Sequence, residues 1–152
     1  MLQDAITMEK RYRQFIETVC KTGKVWALKT EEGFATSDSN EYETEEGEAL
    51  ALFCFWSEQA SAKACAVEDW NNYVPEEIPL PNFIEHWCVG MSDDETLAGI
   101  NFDSHMSGHE QEPLQLVLDI AAELKKQHKT LSFEKFQRIE ELTEIIEKLM
   151  AE

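Results

Sequence analysis

Between Asp4 and Cys20 the apolar residues Met8, Tyr12, Phe15, Ile16 and Val19 recur at steps of one to four, while Lys10, Arg11, Arg13 and Glu17 face away. That period predicts an amphipathic helix. Gly23 ends it, and Lys21 in the last turn suits the negative end of the helix dipole. The period then shortens to two in KVWALKT, where Val25 and Ala27 alternate with Trp26 and Leu28, as in a strand. Glu32-Gly33 turns the chain into a short second strand, FATS. Asp38 to Glu48, DSNEYETEEGE, has only Tyr42 to bury and is expected to be an acidic loop. ALALFCFW follows as the central strand, and Ser57 is placed as the N-cap of a helix over EQASAKACAVEDW, with Ala60, Ala64, Cys65 and Val67 on its close-packing face.

In NYVPEEIPL, Pro75 and Pro79 predict an extended segment at a sheet edge. Pro81 opens a short helix with Phe83, Ile84 and Trp87 inward and Gly90 as its stop. LAGINFD is a further strand, followed by a polar loop. Pro113 is suited to the first position of a helix that runs to about Gln127, with Glu110 and Glu112 at its positive end. Ser132 is expected to cap a last helix, with Leu131 and Phe136 as a hydrophobic staple and Phe133, Phe136, Ile139, Leu142, Ile146 and Leu149 as its stripe. The order predicts an α+β fold: a small, mainly antiparallel sheet packed by helices in residues 1–112, then a C-terminal helical hairpin in 113–152. The hairpin is expected to pack on this core or on a second subunit, and so to contribute to a homo-oligomer.

Charge narrows the function classes. The 152 residues carry a net charge of −18. Residues 31–48 hold eight acids and no base, and residues 49–112 hold twelve acids against Lys63 alone. Such a field repels phosphate backbones and anionic lipid, so neither nucleic acid nor a membrane is expected as partner. A protein partner with basic groups suits it better. The longest apolar run is eight residues, against the roughly 20 needed to span a bilayer. Cys20, Cys54, Cys65 and Cys88 show no zinc-type spacing and read as reduced thiols in the core, and the N-terminus has no apolar signal segment. The expectation is a cytoplasmic protein.

Several segments resemble a small bacterial family catalogued as domain of unknown function 2750. They are KVWALKTEEGFAT, FWSEQASAKACAVEDW, EIPLPNFIEHWCVGM and LAGINFD, in that order. The resemblance covers roughly Met8 to Leu118. It implies a compact α+β domain with no established activity. The family pattern does not call for histidine at positions 105 and 109, and Phe102 stands where the family often has Trp.

Candidate chemistry is sparse. NFDSHMSGHE places Asp103, His105 and His109 close in sequence, and imidazole with carboxylate suits zinc. In a loop, however, that spacing fixes no geometry, so no metal is favoured. Ser57 has no G-x-S-x-G context and reads as a cap rather than a nucleophile. Trp26, Trp56, Trp70, Trp87, Tyr73 and Phe102 are core residues first and a binding groove second. Lys10, Arg11 and Arg13 are expected to pair with acids rather than to bind phosphate, and no phosphate loop or dinucleotide fingerprint calls for a cofactor. The leading expectation is a non-enzymatic, regulatory or immunity-like interaction module whose binding surface includes Trp56, Ser57, Trp87, Asn101, Phe102 and Asp103. The rival is a small-ligand or metal-dependent enzyme built on Asp103, His105 and His109.

Overall fold

The structure is a computed structural model and describes residues 2–105 and 107–151. The first amphipathic stripe forms helix α1 (Leu2–Thr22), which buries Phe15, Ile16 and Val19 completely and ends where Gly23 takes a positive φ of 76°. Strands β1 (Lys24–Thr30) and β2 (Gly33–Phe34) pair antiparallel, and β5 (Val74–Pro79) lies on the other side of β1. Pro75 and Pro79 thus sit in an edge strand, where a missing N–H breaks no ladder.

A second sheet has the order β3-β4-β6-β7, built from β3 (Thr36–Glu43), β4 (Ala49–Phe55), β6 (Leu97–Ile100) and β7 (His109–Gln111). Its β4–β6 pair is parallel and its other pairs are antiparallel. A backbone bridge between Trp26 and Trp56 joins the two sheets. The side chains of Ser39 and Glu110 hydrogen-bond, which brings the two terminal strands of the second sheet within reach of each other.

Several local expectations are corrected. The acidic stretch from Asp38 is not all loop, because its first half is β3, paired with β4 through a register shift between Asp38 and Glu43. Pairing uses backbone groups, so acidic side chains on the solvent side do not prevent it. The turn proper spans Thr44 to Glu48, closed by the Thr44 N–H to the Glu48 carbonyl at 2.7 Å. Ser57 does not cap: Glu58 is the N-cap residue, helix α2 covers only Gln59–Ala64, and a 3₁₀ turn at Glu68–Trp70 follows. That turn lets Trp70 meet Trp56 edge-on at 6.2 Å.

The helix after β5 runs through residues 80–93 as α3 (Leu80–Asn82), a π-helical turn (Phe83–Cys88) and α4 (Val89–Asp93), passing straight through Gly90. Its stop is Glu95, which adopts φ 57° while the Thr96 N–H bonds the Met91 carbonyl at 2.9 Å. A non-glycine residue takes the left-handed position, which no composition rule would have picked. Helix α5 (Pro113–Lys126) begins at Pro113 as expected. Helix α6 (Ile139–Ala151) starts seven residues after Ser132, and 131–138 is irregular.

Two clusters of buried residues result. The larger joins α1, the helix at 80–93, α5 and α6 around Phe15, Phe83, Ile84, Leu116 and Ile120, with Leu142 and Ile146 from α6. Residues 113–151 therefore share one core with the segment before them. The smaller collects Leu28, Leu52, Cys54, Trp56, Trp70, Leu97 and Phe102.

Candidate functional site

Five of the six residues singled out for a binding surface converge on the turn that leaves β6. Asn101 adopts φ 49°, a left-handed conformation that Asn tolerates better than most residues. Its Oδ1 accepts the Ser57 N–H at 3.0 Å, and its Nδ2 donates to the Ser57 hydroxyl at 3.3 Å and to the Arg11 carbonyl at 3.4 Å. Its own N–H reaches the Phe55 carbonyl at 2.9 Å. One side chain thereby ties α1 to the end of β4.

Phe102 follows, its ring pressed against the backbone of two glycines. A Cβ at Gly99 would meet that ring at 2.9 Å, and one at Gly108 would meet it at 2.2 Å. The Phe102 carbonyl accepts two bonds, from the Trp56 indole N–H at 2.9 Å and the Cys65 thiol at 3.1 Å. Burial pushes the Cys65 thiol up from its ordinary pKa, so it remains a neutral donor.

Asp103 closes the turn. Its Oδ1 accepts the N–H groups of His105 and Ser107, at 2.9 and 3.1 Å, and its Oδ2 lies 3.3 Å from the Arg11 guanidinium. Arg11 also donates to the Ser107 carbonyl at 3.0 Å. An open cleft of about 430 Å³ lies beside this network, lined by Arg11, Gln14, Ser61, Asn101, Asp103 and Ser104 among others.

Trp87 is not part of this site. It lies in the π-helical turn against Phe34, Phe53 and Phe55, at centroid distances of 4.5, 5.6 and 5.4 Å. Phe55 and Trp56 are neighbours in an extended chain, so their side chains enter opposite faces, and Trp87 follows Phe55. Trp56, Trp70 and Phe102 are buried, so the aromatic residues contribute core rather than surface here.

The histidine motif is dispersed as well. His105 is exposed, while His109 lies in β7, stacks on Tyr12 at 4.5 Å and has Nε2 2.7 Å from the Gln111 side-chain oxygen. Tyr12 in turn donates its hydroxyl to Asp119, and burial together with that carboxylate raises its pKa. Asp103, His105 and His109 do not form a group with ligand atoms within 4.8 Å of one another; among the described residues only Glu85, His86 and Glu134 do. Ser57 has the Asn101 amide as its described side-chain partner, and an amide cannot take a proton. The arrangement can hold a turn and shape a polar cleft; it does not assemble a nucleophile with a base.

The model of a protein family described as being of unknown function, DUF2750, matches residues 12–120. The chain belongs to that family. No curated protein and no solved structure matches it. The matched region runs from Tyr12 to the middle of α5 and contains the whole Asn101 network except Arg11. Arg11 is the participant that sequence reasoning assigned only to generic charge pairing, since nothing along the chain points from residue 11 to residue 103. Among the described residues no helix is long and apolar enough to cross a membrane.

Proposed function

We propose that this member of DUF2750 is a non-enzymatic interaction module that binds a protein partner carrying basic groups. The observation that carries the reading is the charge of residues 31–48, eight acids with no base. Among the described side chains no ion pair involves Glu31, Glu32, Asp38, Glu43, Glu45, Glu46 or Glu48. Glu43, Glu45, Glu46 and Glu48 are all exposed at the end of β3 and in the turn that follows. Unpaired like charges repel one another and cost stability, and an oppositely charged partner relieves that cost. The reading places the module in the cytoplasm, which its four free, buried cysteines support.

The test compares capture by the wild-type chain with capture by a chain carrying Glu43→Gln, Glu45→Gln, Glu46→Gln and Glu48→Gln. A captured protein is then purified and its binding measured at low and high salt. The expected outcome is salt-sensitive binding that the fourfold variant loses while its free energy of unfolding stays at or above that of wild type, since removing like charges relieves repulsion. Equal binding by both chains would contradict the reading.

A further inference from the structure

Glu85 is 2% exposed, the most deeply buried charged residue among those described. A carboxylate taken out of water needs strong compensation. Its described hydrogen bonds come from one donor, the Lys135 backbone N–H, at 3.3 Å from each oxygen. Those contacts are long for N–H···O, and a carboxylate offers about four acceptor positions. Most of its capacity is left over, and two further ligand-type groups stand beside it. His86 Nε2 lies 3.4 Å from Glu134 Oε2, and one ligand atom from each of Glu85, His86 and Glu134 lies within 4.8 Å of the others.

We propose that Glu85, His86 and Glu134 form a site for a divalent transition-metal ion of the zinc class. Bonds of 2.0–2.1 Å in tetrahedral geometry put ligand atoms about 3.3–3.4 Å apart, the spacing already present between His86 and Glu134. One imidazole and two carboxylates make a mixed nitrogen–oxygen set that suits zinc, cobalt or manganese better than calcium, which takes oxygen ligands throughout. Three protein ligands leave a fourth position open.

The local helix geometry helps. In an α-helix consecutive side chains diverge by about 100°. The wider i→i+5 turn over Phe83–Cys88 reduces that angle, so Glu85 at the floor and His86 at the rim both reach the segment holding Glu134. The metal would take the place of the proton that otherwise lets His86 pair with Glu134. It would also fasten residues 131–138, which have no regular structure, to the helix at 80–93. Glu85 and His86 fall inside the family match and Glu134 outside it, so the complete set depends on residues beyond the matched region.

The full chain, stripped with chelator, is titrated with zinc chloride by calorimetry and with cobalt chloride by visible absorption. One equivalent is expected to bind, and His86→Ala and Glu134→Ala should each weaken binding tenfold or more. Both side chains are exposed, at 43% and 75%, so these variants keep the fold, which circular dichroism checks. A chain carrying His105→Ala with His109→Ala is expected to bind as wild type. Absence of saturable binding, binding insensitive to both single variants, or loss confined to the His105 and His109 variant would each overturn the assignment.

Discussion

Asn101 and its neighbours show how much a short motif can encode. In Gly99-Ile100-Asn101-Phe102 the glycine makes room for the ring of Phe102, the asparagine supplies a left-handed turn, and the aromatic closes the smaller core. The residues stood out in the sequence, but the partners that explain them lie 44 and 90 positions away, at Ser57 and Arg11. Separation of that kind leaves no trace in local spacing. Asn101→Gly keeps the backbone conformation but leaves the buried Ser57 N–H without its acceptor, at a cost of about 1–3 kcal/mol. Asn101→Ala loses the same bond and adds strain of about 1–2 kcal/mol at positive φ. Chemical denaturation should therefore rank wild type above Asn101→Gly above Asn101→Ala. Alanine matching wild type, or exceeding glycine as it does in ordinary helical positions, would contradict the role given to this turn.

At the scale of elements, strong periodicity was readable, and so were the boundaries at Gly23 and Pro113, but those placed at Ser57 and Gly90 were not. The stripe from Met8 to Val19 and the proline at 113 located α1 and α5. Gly90 and Ser57 misled because each residue has the right chemistry for a helix boundary at a place where tertiary contacts decided otherwise. The Asn101 side chain engages Ser57, and Glu95 takes the left-handed position in place of Gly90. The stripe read from Phe133 to Leu149 divides in the structure: Leu142 and Ile146 enter the main core, while Leu149 remains about half exposed, as do Ile145 and Met150, which lie outside that stripe. Any self-association through α6 therefore falls to those outward residues. Leu142→Ala is predicted to cost about 2–5 kcal/mol of stability through the cavity it leaves. Ile145→Glu with Leu149→Glu should spare stability yet reduce the solution mass of the full chain to that of one copy. A mass unchanged by that pair of substitutions would rule out α6 as the contact.

For the whole molecule, the α+β class was legible because helical and strand periods interleave along the chain. The division into two sheets was not. The second sheet rests on the parallel pairing of β4 with β6, and the bridge between Trp26 and Trp56 joins it to the first, both made between segments distant in sequence. Charge was legible as a quantity, and the fold adds its placement. The basic residues of α1 are partly consumed internally, Arg11 by Asp103 and Arg13 by Glu9, while those acids of residues 31–48 whose side chains are described have no ion pair among the described residues. Two surfaces thus compete as the contact with a partner: the acidic turn beside Tyr42, and the cleft beside Asn101. Photo-crosslinking in living cells separates them most directly, with a photoreactive residue placed in turn at Tyr42 and at Ser104, both exposed. The account predicts a crosslink to a basic protein from position 42 and none from position 104. A crosslink from position 104 alone would move the interaction to the cleft and contradict the acidic-surface reading.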